Sequence, residues 1–162
     1  MKSLKALVLA AAVLTLPLTA QAGVDVTFGD SAKFTDANLR GYRSAKDRDQ
    51  VMRTLKRHIE LRAARYVAPG QDLSIRITDI DLAGRTNNFF NPNDIRLMTA
   101  IDAPAITLTY ALTENGRTVT SGEERVIDMN YLMGVNWYGS SDQLSYEKEM
   151  LNDWFAKRFA KR

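Results

Sequence analysis

LSIRITDIDLAG, residues 73–84, reads as a central strand that ends in two carboxylates and a glycine. Leu73, Ile75 and Ile77 alternate with Ser74, Arg76 and Thr78, the period of two that buries one face of a strand and wets the other. At Asp79 the alternation breaks, because the face that carried 73, 75 and 77 would next carry Asp79 and Asp81. Two geometries resolve this. Either a β-bulge near Thr78 and Asp79 returns Ile80 and Leu82 to the inside, or the strand outruns its covering helix and exposes both aspartates at the sheet end. The two carboxylates then serve structure, holding backbone amides or an arginine such as Arg96, or they form an acidic site.

Upstream, Val24, Val26 and Phe28 alternate with Asp25 and Thr27 and stop at Gly29-Asp30, a short first strand. Residues 31–43 are polar and without period. A helix is predicted over residues 44–66, with Asp47 and Asp49 at its positive end and an apolar stripe of Met52, Leu55, Ile59, Ala63 and Tyr66. Arg53, Lys56, Arg57 and Arg65 form the opposite face, which reads as a solvated surface. Pro69-Gly70 turns the chain into the central strand. Strand, helix and strand at this spacing imply a right-handed crossover with residues 24–28 parallel to 73–79.

Downstream of Gly84 lies a loop rich in asparagine that holds Phe89 and Phe90 side by side, followed by Asp94. Residues 95–101 read as a short strand or an irregular connection. Ile106, Leu108, Tyr110 and Leu112 alternate with polar residues as a clear strand, and Asn115-Gly116 supplies the positive φ angles of a type I′ hairpin. Pairing Glu114 with Arg117 keeps Val126 inside only if a bulge falls at Ser121-Gly122. Residues 128–139 form a semi-apolar connector whose Tyr131, Trp137 and Tyr138 close over the sheet or stack on a sugar. A last helix is expected from about residue 141 to 159, capped by Ser140 and carrying Leu144, Leu151, Phe155 and Phe159 with Met150 and Trp154. The fold class is therefore α/β, more narrowly α+β: a single mixed sheet of about four strands, in the order β-α-β-β-β-α, with two main helices packed on it.

Lys2 and Lys5 precede an apolar run that ends in Ala20-Gln21-Ala22, the pattern of a cleavable secretory leader. Residues 1–22 are expected to be removed, leaving 23–162 as one globular domain. No cysteine follows the junction to accept a lipid, so a periplasmic protein without stable membrane insertion is expected. Loss of the two lysines takes 22 basic residues to 20 against 19 acidic ones, a net charge of +1 that argues against a nucleic-acid partner. With no cysteine at all, the fold depends on its own core rather than on disulfides.

Four stretches carry a family resemblance: DLAG at 81–84, NDIR at 93–96, DMNYLM at 128–133 and YEKEMLNDWF at 146–155. Together they resemble DUF3016, small exported proteobacterial proteins of unknown function, over nearly all of the mature chain. The resemblance implies periplasmic residence and supplies neither an activity nor catalytic residues. A topological analogy to exported α/β domains that service the envelope points the same way.

The motifs of serine hydrolases, zinc peptidases, P-loop proteins and dinucleotide-binding folds are missing. One histidine, His58, and no cysteine leave the usual zinc ligand set incomplete, and no metal or other cofactor is expected. The alternative left open is a hard cation such as calcium or magnesium where Asp79, Asp81, Asp94 and Asp128 gather at one sheet end. The sequence favours a non-enzymatic binding or accessory protein that meets an envelope protein or ligand. Asp79, Asp81, Phe89, Phe90, Asp94, Asp128 and Trp137 are the candidate contact residues. The alternative is a carboxylate-dependent hydrolase of a cell-wall glycan, drawing its acid and base from Asp79, Asp81, Asp94, Asp128 and Glu147.

Overall fold

The structure, a computed structural model, describes residues 22–40, 44–86, 96–139 and 141–160. In chain order the elements are β1 (Gly23–Phe28), a 3₁₀ turn (Ser31–Lys33), α1 (Ala45–Ala63), β2 (Gln71–Asp81), β3 (Arg85–Thr86), β4 (Arg96–Leu97), β5 (Ala105–Glu114), β6 (Arg117–Ile127) and α2 (Ser145–Phe159). The main sheet has the order β1-β2-β5-β6. β1 runs parallel to β2, and the β2–β5 and β5–β6 pairs are antiparallel. This is the expected β-α-β-β-β-α arrangement. It is joined by a small ribbon of β3 and β4, of which β4 falls in the stretch read as a short strand or an irregular connection and β3 in the loop after Gly84.

Both helices cover one face of the sheet. Ser44 caps α1, its Oγ accepting from the Asp47 N–H at 3.4 Å, and Asp47 sits in the positive first turn. Val51, Leu55, Ile59 and Ala63 are buried, whereas Met52 and Tyr66 are half-buried at the edge of the stripe. α2 adds Met150, Leu151, Trp154 and Phe155, and the Phe155 ring stacks on Tyr66 with centroids 5.7 Å apart. Under them lie Leu73, Ile75, Ile77 and Ile80 of β2 and Ile106, Leu108 and Tyr110 of β5. Each fully buried large side chain contributes about 1.5–3 kcal/mol relative to exposure, so this two-layer core is the main source of stability.

The break at Asp79 is a bulge. Ile77 pairs with Leu108 and Asp79 with Thr107, so Thr78 has no partner and Ile80 and Leu82 return to the buried face. The hairpin forms as expected, with φ of 50° at Asn115 and 77° at Gly116.

Two boundaries differ from the sequence reading. The β6 bulge falls at Val119, because Thr118 pairs with Thr113 and Thr120 with Leu112, and not at Ser121-Gly122. Gly122 stays in register opposite Tyr110, whose ring would lie close, at 3.1 Å, to a Cβ at that position. The extra residue is taken up beside the turn, where Val119 is exposed. α2 starts at Ser145 and not near 141, and the expected Ser140 cap lies outside the described residues. Asp142 holds a turn there, its Oδ1 accepting from the Leu144 N–H at 3.0 Å, and the turn carries Leu144 into the core.

Candidate functional site

The bulge in β2 organises one end of the sheet. β1 ends where the Gly29 N–H donates to the Ile77 carbonyl, and the chain returns at Asp36, which bridges Asp81 in a parallel sense. Asp36 N–H donates to the Ile80 carbonyl and Leu82 N–H to the Asp36 carbonyl. Between these points the ladder is interrupted, and the Asp79 carboxylate fills the gap. It accepts from the Thr35 N–H at 2.7 Å and from the Thr35 hydroxyl at 2.8 Å. A side chain here replaces the backbone acceptor that the bulge removes.

Arg96 ties the same end together. Its Nη2 donates to Asp36 Oδ2 at 2.7 Å and to the Asn38 carbonyl at 2.6 Å, while Nη1 reaches the carbonyls of Ala83 (3.1 Å) and Gly84 (2.7 Å). The turn it grips needs glycine: Gly84 has φ of 69°, and a Cβ there would stand 2.3 Å from the Leu97 carbonyl oxygen. From α2, buried Glu147 accepts the Ala83 N–H at 2.8 Å through Oε1. Burial raises the Glu147 carboxyl above its ordinary range.

The four motifs that carry the resemblance meet at this end. DLAG contributes the turn, NDIR the clamping Arg96, and YEKEMLNDWF contributes Glu147. From DMNYLM, Tyr131 is buried with its hydroxyl donating to the Thr99 carbonyl at 2.7 Å, and its ring meets Tyr146 edge-on at 4.8 Å. No single motif is a site. The arrangement is a knot built from all four.

The sequence candidates separate on this geometry. Asp79 and Asp81 both stand on the sheet face away from the helices, but Asp81 is not engaged as Asp79 is. Its carboxyl is raised by burial first and then by the charges of Asp36 and Asp79, with Arg125 and Arg96 opposing. Asp81 pairs across the sheet with Ala105, and Ala105 with Ile127, so Asp128 follows one residue beyond the same row. Asp128 opens a turn, its Oδ1 accepting from the Asn130 N–H at 2.9 Å. Phe89, Phe90 and Asp94 lie outside the described residues. Among the described residues no three His, Asp or Glu side chains are grouped so as to hold a metal ion.

The sequence profile described as "Protein of unknown function (DUF3016)" matches residues 22–157. The chain belongs to the DUF3016 family. No curated protein matches it. The DUF3016 match thus covers the whole knot and the connector that leaves it.

That connector, residues 128–139, is divided in its burial. Tyr131 is the anchor, and Tyr138 is half-buried with its ring edge-on to His58 at 5.6 Å. Around them Met129, Leu132, Met133, Val135 and Trp137 are exposed, Met133 by 87% and Trp137 by 82%. The closing role expected of three aromatics falls to Tyr131 and, in part, Tyr138. Trp137 faces out. From the sequence Arg96 was offered only as a partner of the aspartates and Glu147 only as a candidate acid or base of the hydrolase alternative, and Asp36 received no role. Membership of the family stretches is the signal that would have found Arg96 and Glu147, whereas Asp36 lies outside all four.

Proposed function

We propose that this protein is an exported binding or accessory protein of the cell envelope, and that the 128–139 connector is its contact surface. The observation that carries the reading is the exposure of Met129, Leu132, Met133, Val135 and Trp137 on a segment whose anchor is buried. Exposed large apolar side chains gathered on one segment are a mark of interaction surfaces, and Trp and Met are residue types favoured at them. The Arg96 knot then has a definite task. It fixes the turn and α2, and these fix Tyr131, so the connector is presented in one conformation and loses little entropy on binding.

The secretory leader supports the periplasmic location, and the family match begins at residue 22, where the leader is expected to end. Among the described residues no helix is long and apolar enough to cross a membrane. The second reading, a glycan hydrolase, has the raised Asp81 and Glu147 carboxyls in its favour, but Glu147 is buried and engaged with the Ala83 N–H. Against it, Asp79 is committed to Thr35 and Asp36 to Arg96, which takes both neighbouring carboxylates away from acid–base work.

A photo-crosslinking residue placed at Trp137, with Val119 as an exposed control, tests the contact in cells. The expected result is a discrete adduct from position 137, absent from 119, that Met133→Ser weakens and Asp81→Asn leaves intact, on a protein released by osmotic shock with Gly23 at its start. Equal adducts from both positions would contradict the contact surface, and a leader retained on membrane-bound protein would contradict the export.

A further inference from the structure

The basic face of α1 is not a plain convex surface. Beside the connector it borders a hollow of about 500 Å³, to which α1 contributes Arg53, Arg57, His58 and Leu61, the connector Tyr138, and α2 Lys148. None of the side chains lining this hollow is acidic. Lys148 is neutralised from behind by Asp142 at 2.5 Å. Arg53 and Arg57 are exposed, and among the described residues neither has a carboxylate within ion-pair distance. They stand four residues apart on one helix face, a like-charge spacing that weakens a helix unless an anion lies between the two groups.

The floor of the hollow is polar and held in place. His58 Nε2 lies 3.2 Å from the Lys148 carbonyl, so this nitrogen carries the proton and donates. Asn152 Nδ2 donates to the Tyr138 hydroxyl at 2.9 Å, which leaves the phenol proton as a donor. Lys148 also lies over the Tyr138 ring at 5.6 Å. The groups that face the imidazole are Lys148 and Asn152 from α2, Arg62 from its own helix and Tyr138 from the connector, with Asp142 behind Lys148. Burial, then the Lys148 charge, lower the His58 pKa to about 4.

We propose that this hollow binds a ligand through a phosphate group held between Arg53 and Arg57. Guanidinium groups match the oxygens of phosphate in a way that lysine does not. Side chains at this helical spacing start roughly 5–6 Å apart, and a tetrahedral anion with three free oxygens can serve both where one planar carboxylate serves one. Leu61 and Tyr138 give the rest of the ligand an apolar and aromatic wall. The site is separate from the knot at the sheet end and does not depend on the connector having a protein partner. The phosphate belongs either to a soluble phosphorylated compound or to an anionic lipid headgroup, and the test distinguishes the two.

His58 is the only histidine in the chain, so its ring resonances report on the hollow without assignment ambiguity. The experiment follows them by NMR near pH 6 during titration with inorganic phosphate, chloride being exchanged out at constant ionic strength. A parallel titration uses vesicles of phosphatidylglycerol, with phosphatidylcholine vesicles as control. The expected result is a saturable shift with at least one of the two anionic probes and a rise of the His58 pKa above about 4. Arg53→Gln with Arg57→Gln should weaken binding by about tenfold or more, as the loss of charge-assisted bonds predicts, while exposed Arg65→Gln should not. A response to inorganic phosphate assigns a soluble ligand, and a response to phosphatidylglycerol alone assigns a lipid headgroup. No saturable shift with either probe, a shift unchanged in the double variant, or an equal loss in Arg65→Gln overturns the proposal.

Discussion

Asp79 and Asp81 stand two residues apart on the outer face of the sheet, yet their surroundings differ in sign. Asp79 accepts two hydrogen bonds from Thr35 and closes the gap made by the bulge. Asp79→Asn is expected to lower stability by about 1.5–3 kcal/mol, the range for hydrogen bonds to a charged acceptor. Asp81 has the opposite balance, because burial and the charges of Asp36 and Asp79 raise its carboxyl above the ordinary 3.8. The protonated form is then favoured by folding. Its advantage is fully present below 3.8 and is lost as pH rises through the higher folded value. Asp81→Asn should therefore stabilise the protein at pH 7, by at most about 1 kcal/mol once solvent screening is allowed for, and should give no gain near pH 3. Urea denaturation of both variants at the two pH values checks the pair, and a destabilising Asp81→Asn at pH 7 would show that its carboxylate is needed in its charged form. The sequence marked both residues but treated them alike. What separates them is Thr35 and Asp36, more than forty positions upstream in a stretch with no period, and local pattern does not encode such a pairing.

At the scale of elements the legible features were those with a long, regular period. α1, β2, β5 and the Asn-Gly hairpin follow from spacing and turn chemistry, whereas the broken alternation at Asp79 left a bulge and an overrunning strand both open, and the register chooses the bulge. The β6 bulge was misplaced because Gly122 stays in register opposite Tyr110, close against its ring, and the extra residue is taken up at exposed Val119 beside the turn. The start of α2 was misplaced because Asp142 spends its side chain on the Leu144 amide, a non-helical turn with cap-like composition. The helix itself is firmly docked. Phe155 is fully buried and in contact with the rings of Tyr66, Trp154 and Phe159. Phe155→Ala should cost about 3–5 kcal/mol in chemical denaturation, whereas a cost below about 0.5 kcal/mol would mean that α2 is loosely held.

Across the whole molecule, structure and exposure divide the family stretches into two groups. DLAG, Arg96 and Glu147 bond to one another and to backbone, and Tyr131 is drawn into the same end. Met129, Leu132 and Met133, from the same stretch as Tyr131, point away from the core together with Val135 and Trp137. The candidate surface was legible in part, since Trp137 was marked by type, but its neighbours were not. A semi-apolar connector reads the same whether it covers a core or faces a partner, and only the position of Tyr131 tells which side is turned in. On the proposed reading these outward residues serve contact and not folding. Urea denaturation of the Met133→Ser, Val135→Ser and Trp137→Ser triple variant tests it most directly. The account predicts a change within about 0.5 kcal/mol per substitution, the range for surface sites. A loss of several kcal/mol, the scale of buried large-to-small changes, would mean that the connector is part of the core and would contradict the account.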